Sequence, residues 1–544
     1  MVARPATVAG ATPAVDRMRR LAQGALVVMT GFMLSRLLGA VRNIVIAAHF
    51  GTGQDFGAYV AAIALPDLVF QVLVGGAVAS AFIPVFKRYH ALGRDDEAWH
   101  LTSSVINIFA LIALGTCAVL AVFARPIMDV WVAGQGAEFR DEVANLTRIL
   151  LISPAVFAVS TFCSSVLNSY HRFAIAAMAP LLYNLAIIAA AAGLSGPLGI
   201  YSLALGAVVG AMLHLLIQLP FCLRLGMRWR PVVDLGHAGV REVARLFAPR
   251  VLGLGVVQLN QVLSAIVLAS FLGAVSIGYL NYAWQLIMLP LALAMAVGTA
   301  VFPTLSEESA LENRERFEQV FLLSLRMILF LTIPASIGLI ALGEPLIRLV
   351  FQRDQFDSAS TIGTASAMVF YALGLAGHAT VEIVDRVFYA RHDTRTPVLA
   401  AVLAVGVNLV ASLVLSGIVA VPPPLGLDLR SSLGFRGLAL ANSIAALVEA
   451  GVLLRFAALR MPGLTSGRLT TPALRILAAS LVMGVSVAWL AGRLDPLLGA
   501  YGAPGQTLLI AFCVGSGAVL YGVLSLAFRS DEVSALWRLV RRQA

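Results

Sequence analysis

A guanidinium inside an apolar segment is suited to one task above others. It is planar, permanently charged, and offers paired N–H donors to phosphate or carboxylate. Arg36 and Arg42 occur in GFMLSRLLGAVRN (31–43), within the first strongly apolar run of this chain. A cation at the centre of a membrane helix costs roughly 2.5–3.5 kcal/mol on insertion scales, so it faces a protein interior or a watery cavity. Six residues separate the two arginines, about 9 Å of rise and about 120° around a helix. Arg36 shares its face with Gly39, Ala40 and Asn43. The pair suggests anion capture in a cavity; bonding to interior carbonyls, or snorkelling to an interface, is the plainer alternative.

The other polar groups in apolar runs form a second tier. Asp67 follows Pro66 with Gln71 one turn on, and Ser35 and Asn43 flank the arginines. Amides recur at Gln258, Asn260, Gln261 and Gln285, where hydrogen bonding between helices is the default reading. Ser35, Arg36, Arg42, Asn43, Asp67, Gln71 and Gln285 are the candidate substrate-binding residues. Glu382, Asp385 and Arg386 crowd one stretch, with pairing to Arg386 as the simple account, and Glu449 has no evident local partner. These four are candidates for coupling or gating.

Catalytic patterns are missing. The chain has no GK[ST], HExxH, GxSxG or CxxC, and its sole lysine, Lys87, follows Phe86. Cys117, Cys163, Cys222 and Cys513 lie in apolar runs without metal or pairing spacing and read as small buried hydrophobes. No catalytic residue, metal or cofactor is expected. Transport would be driven by an ion gradient, the membrane potential or a partner.

The elements that must hold these residues are membrane helices. Of 544 residues 60% are hydrophobic and 12% charged, against about 25% charged in soluble domains. Mean hydropathy is +0.90. The net charge of +10 needs no nucleic acid, because excess Arg in such a chain reports orientation. About 20 apolar residues make one span. Fourteen candidates fall near 22–49, 57–86, 101–124, 146–170, 176–195, 199–222, 249–272, 276–304, 320–342, 361–389, 397–421, 437–457, 473–491 and 506–528. Alternate loops, with both termini, hold 26 Lys and Arg against eight in the other set, which predicts cytoplasmic termini. Trp99, Trp229, Trp284 and Trp489 are expected in interfacial belts. Residues 237–248 read as an amphipathic surface helix with Val240, Val243, Ala244 and Phe247 on its apolar face.

The chain also repeats itself. SRLLG (35–39) matches PRVLG (249–253), and AHFG (48–51) matches SFLG (270–273). YHRF (170–173) matches YARHDTRTP (389–397), and GIYSLAL (199–205) matches GLALANS (437–443). Each unit covers six spans, an even number, so the copies are parallel, a transporter arrangement with a site between halves.

SRLLGAVRNIVIAAHFG, LPDLVFQVLVGGAVASAFIPVFKRY, LVFQRDQFD and RVFYARHDTRTPV, in this order, resemble the MurJ family of lipid II flippases in the MOP exporter superfamily. The resemblance covers about residues 25–460. It implies an all-α polytopic fold of about 14 helices: two six-helix lobes that open alternately, plus two C-terminal helices forming a groove for a polyprenyl tail. Arg36 and Arg42 match the family's cavity arginines. Phe70 and Gln71 stand where a basic pair is usual, Gly75 and Gly57 where acids occur, and Gln285 where an arginine does.

The expected organisation is a disordered tail (1–20), an N-lobe (21–222), an amphipathic linker (223–248), a C-lobe (249–460), and spans 13–14 with a basic tail (461–544). The expected function is alternating-access flipping of lipid II across the bacterial cytoplasmic membrane. The protein is expected to act as a monomer among membrane lipids, with cell-wall synthesis enzymes as candidate partners. Flipping of another polyprenyl-diphosphate glycan, or a non-transporting envelope scaffold, are the alternatives.

Overall fold

The computed structural model describes residues 13–73, 77–247, 262–418, 433–461, 467–528, 530 and 532. Every regular element among them is helical. The first half contains α1 (Pro13–Phe50), α2 (Gln54–Leu73), α3 (Ala77–Ala91), α4 (Asp95–Val122), α5 (Ala124–Trp131), α6 (Ala137–Leu150), α7 (Ile152–Ser169), α8 (Phe173–Leu198) and α9 (Tyr201–Arg224). A helix at 238–247, α10, follows, then a π-helical stretch at Leu263–Leu268. The second half contains α11 (Ala274–Ala310), α12 (Arg314–Ala341), α13 (Gly343–Phe351), α14 (Ser358–Ala372), α15 (Leu375–Ala390), α16 (Arg395–Leu415) and α17 (Phe435–Arg460). The chain closes with α18 (Gly467–Leu498) and α19 (Gly502–Ala527).

Among the described residues eleven helices are long and apolar enough to cross a membrane, or twelve if α14 and α15, bent by 45°, form one span. The stretch Gly467–Ala527 counts once in that number although it runs through both α18 and α19. The expected span at 249–272 lies largely outside the described residues, as do Gly75, Gln258, Asn260 and Gln261. The expected total of fourteen is therefore not confirmed. Residues 13–20, expected as disordered tail, form the first turns of α1.

The chain packs as two compact units. One comprises 1–49, 61–129 and 137–259; the other comprises 50–60, 130–136 and 260–544. In the first, one end is an aromatic core. Phe82 stands edge-on to Phe162 with centroids 5.4 Å apart, and Phe86 packs on Trp99 at 5.5 Å. Val240 and Val243 of α10 are buried and Phe247 packs against this core, while Ala244 is exposed. Arg88 holds α10 through an ion pair with Glu242 at 2.5 Å. The amphipathic segment is thus seated on protein. Trp99 and Trp284 also turn inward, Trp284 onto Tyr371 and His378, whereas Trp229 and Trp489 are exposed. All four cysteines are buried.

Prolines inside helices remove a donor and leave the carbonyl four residues back unpaired. In an apolar setting that carbonyl needs another partner. Pro66 of α2 frees the Ala62 carbonyl, to which Thr147 of α6 donates its hydroxyl at 3.2 Å. Pro334 of α12 frees the Phe330 carbonyl, and Tyr521 of α19 donates to it at 2.9 Å. Around that bond the second unit builds a core from Ile476, Met483 and Val487 of α18 with Leu509 and Cys513 of α19.

Candidate functional site

The first unit contains a cavity of about 260 Å3 whose walls come from five helices, with Leu150 contributed by α6. Asp67 and Phe70 enter from α2, Ser153 and Phe157 from α7, Tyr183 from α8 and His214 from α9. Phe70 meets Phe157 edge-on at 5.1 Å, so the position that the family usually gives to a base is here part of an aromatic wall. Pro66, Pro154 and Pro180 also line the space. Pro66 and Pro180 interrupt the backbone ladders of α2 and α8, which makes room beside packed helices, and Pro154 lies in the first turn of α7.

The polar groups are held from behind. Ser160 Oγ lies 2.6 Å from His214 Nδ1, and Gln218 Nε2 donates to Ser160 Oγ at 3.0 Å. Ser164 donates to Gln218 Oε1 at 2.7 Å. These bonds fix the imidazole so that the rest of its ring borders the cavity. Ser153 is 6% exposed and its Oγ has no hydrogen-bond partner among the described residues. Asp67 is accessible, accepts no hydrogen bond among the described residues, and feels Arg42 as its neighbouring cation. Tyr183 lies within the field of both Asp67 and Arg42.

Arg42 itself is half-buried on α1, with Nε and Nη2 donating to Asn43 Oδ1 at 3.3 and 3.2 Å. One amide oxygen uses part of the fork and leaves further N–H groups for an anion. Arg36 is exposed on the same helix, and Ser35, Gly39 and Asn43 are half-buried while Ala40 is exposed. A Cβ at Gly31 would lie 2.5 Å from that of Ala177, so the small residues of α1 admit α8 closely. The structure therefore gathers Arg42, Asn43 and Asp67, and adds Tyr183, His214 and Ser153. Gln71 is half-buried one turn beyond Asp67.

The second unit holds the remaining candidates. Gln285 donates to Asn281 at 2.6 Å, and its own oxygen is buried without a partner among the described residues. Arg386 pairs with Glu382 at 2.5 Å and lies across Gly298, where a Cβ would come 2.9 Å from its guanidinium carbon. Asp385 does not share that bond; Glu449 and Glu382 are its acidic neighbours and its Oδ1 is unpartnered among the described residues. Gly57 is forced by packing, because any side chain there would overlap the backbone of Ala274. An apolar groove of about 520 Å3 runs between α18 and α19, bordered by Val485, Trp489, Leu490 and Leu520. Among the described residues no group of three or more His, Cys, Asp or Glu could hold a metal ion.

His214, Tyr183 and Ser153 escaped the sequence reading because nothing in their own spans sets them apart from other polar residues there, such as Asn184 and Ser160. The one available signal was the one-turn spacing of His214 and Gln218.

Residues 46–502 match the profile of the family described as lipid II flippase MurJ. A lipid II flippase MurJ of Burkholderia cenocepacia is 30% identical over 454 residues, 81% of this chain and 84% of its own length. A probable lipid II flippase MurJ of Rhizobium meliloti is 30% identical over 537 residues, 94% of each chain. A solved structure of lipid II flippase MurJ in an inward closed conformation superposes with a TM-score of 0.75 at 27% identity, covering 93% of this chain and 99% of that one. An inward-facing multidrug resistance MATE transporter of the MOP superfamily shares the fold at TM-score 0.63 and 15% identity, covering 81% and 99%. The chain spans most of the length of these relatives, and it belongs to the MurJ family of multi-pass lipid II flippases.

Proposed function

We propose that this protein carries lipid II from the inner to the outer leaflet of the bacterial cytoplasmic membrane by alternating access, with both termini cytoplasmic. The observation that carries this reading is the family match over 46–502 together with two span-1 arginines, one half-buried and acting on Asp67, which lines the first unit's cavity. A polyprenyl tail can stay in apolar surroundings, whereas the diphosphate needs a cationic, hydrated path. Arg36 and Arg42 supply the cations. Ser35, Asn43, Gln71 and Gln285 offer hydrogen bonds to phosphate and sugar. Asp67 is the counter-charge of Arg42 until an anion takes its place. The groove between α18 and α19 takes the tail. Glu382, Asp385, Arg386 and Glu449 form the second unit's switchable charge group, coupled to an ion gradient or the membrane potential.

A second reading, a different polyprenyl-diphosphate glycan, is favoured by one observation: Phe70 closes an aromatic wall where the family commonly has a base. Flipping by the purified protein in vesicles, compared among lipid II and other polyprenyl-diphosphate glycans, tests both. Lipid II should move fastest. Equal immobility of every substrate would remove the transporter reading and leave the scaffold.

A further inference from the structure

The second unit has a polar pocket of about 480 Å3 where α12, the start of α18 and Ser530 and Glu532 meet. Arg326, Arg468 and Arg475 all border it. Arg326 donates to Glu532 at 2.6 Å, and Glu532 is 2% exposed, so this one carboxylate is already taken. Arg468 and Arg475 form no hydrogen bond or ion pair among the described residues. Among the described residues three guanidiniums face one carboxylate, an excess of about two positive charges. The hydroxyls of Thr471 and Ser530 border the same space.

Arg468 and Arg475 are seven residues apart, two helical turns, and so share one face of α18 with about 10 Å between them along the axis. The same face continues through Val482, Ser486 and Trp489, reaching the apolar groove between α18 and α19 about 21 Å beyond Arg475. Val482, Val485 and Trp489 are exposed, as are Leu323 and Leu474 beside the pocket. A charged pocket thus heads an uncovered apolar strip. The strip suits a long hydrocarbon chain, and the pocket suits a compact group of two or three negative charges at its end.

We propose that this pocket docks the diphosphate of the polyprenyl-linked substrate on the leaflet where the Lys and Arg excess lies, before the headgroup reaches Arg42. The inference rests on the flippase reading above. A diphosphate matches the two guanidiniums that have no carboxylate partner among the described residues, and paired N–H donors fit its oxygens. A diester phospholipid brings a single phosphate charge.

The test uses the full chain in detergent and a polyprenyl diphosphate without sugar as probe, in an Arg36→Ala/Arg42→Ala background that removes the other site. Binding counted by native mass spectrometry should persist there and fall about fivefold for each of Arg468→Gln and Arg475→Gln. Arg468→Lys/Arg475→Lys, which keeps the charge, should retain most of it. The single Gln variants carry the comparison if the double variant does not fold. Unchanged diphosphate binding in the folded Gln variants overturns the proposal. So does an equal loss of phosphatidylglycerol binding, which would make the pocket a phospholipid site. Failure of the unsubstituted protein to bind any polyprenyl diphosphate would instead sink the flippase reading itself.

Discussion

Helix α7 ends at a turn in which His171 takes a left-handed φ of 58° and Arg172 N donates back to Leu167 O at 2.8 Å. Helix α15 ends in the same way, with His392 at φ 58° and Asp393 N donating to Phe388 O at 2.9 Å. The turn after α3, with Gly93 at φ 70°, is likewise repeated after α11, with Glu312 at φ 54°. The two halves share these helix stops. Their charges differ. In the first half Asp67 lines the cavity and forms no ion pair with its neighbour Arg42 among the described residues, whereas the second closes Arg386 onto Glu382. The repeated scaffold is therefore not what requires Arg42. A cation left without a tight protein partner, in a half whose twin pairs its own, is available to a ligand.

The largest expected effect tests that contrast. Arg42→Ala should lower lipid II flipping in vesicles by about tenfold to a hundredfold, the scale of one hydrogen-bonded charge pair. Membrane insertion and thermal unfolding should stay near those of the parent protein. Arg386→Gln should differ by also lowering the unfolding temperature, because Glu382 is left half-buried and alone. If Arg42→Ala unfolds the protein while flipping per folded molecule is unchanged, the assigned roles are wrong.

Next in size are the hydroxyls that cover proline-opened carbonyls. Tyr521→Phe strands the Phe330 carbonyl and should cost about 1–2 kcal/mol of stability in detergent. Thr147→Val should cost less, because Thr147 also bonds Val143 of its own helix at 2.7 Å. Equal losses would mean that the two bonds do the same job.

Capping separates the halves further. Asp393 accepts from the backbone N–H of Arg395 and Thr396 at the start of α16, at 3.0 and 3.1 Å, and pairs with Arg460. The start of α8, its counterpart, has no side-chain cap. Asp393→Ala should cost about 1 kcal/mol, read from thermal unfolding. The hydrogen bond from Thr396, then Arg460, hold the Asp393 carboxyl well below its usual range. Its contribution is thus full above the ordinary carboxylate pKa and fades as acid carries the pH below it. The difference between parent and Asp393→Ala should shrink in that acid range and be constant near neutrality.

The smallest effect concerns the turn after α11. Glu312→Gly should stabilise by about 0.5–1 kcal/mol, because glycine meets the left-handed φ without a Cβ penalty. Gly93→Ala should destabilise by a similar amount. An insensitive Glu312→Gly would show that the side chain offsets its own strain.

By itself the sequence determined the all-helical membrane class, the internal motif repeat, the family and the oddity of Arg36 and Arg42. Each of these is local: apolar runs, charge in loops and motif order are read along the chain without knowing what touches what. Even the matching turns are carried by short motifs, YHRF and YARHD. Tertiary structure alone decided the partners. Asp67, Ser153, Tyr183 and His214 are scattered over 148 positions, and only the packing of α2, α7, α8 and α9 makes them one cavity. It also turned Trp99 and Trp284 inward, seated α10 on an aromatic core, and assigned Arg386 to Glu382 rather than to Asp385. Hydropathy says that a residue is buried from water, but not whether lipid or protein covers it. That choice belongs to neighbours far away in sequence.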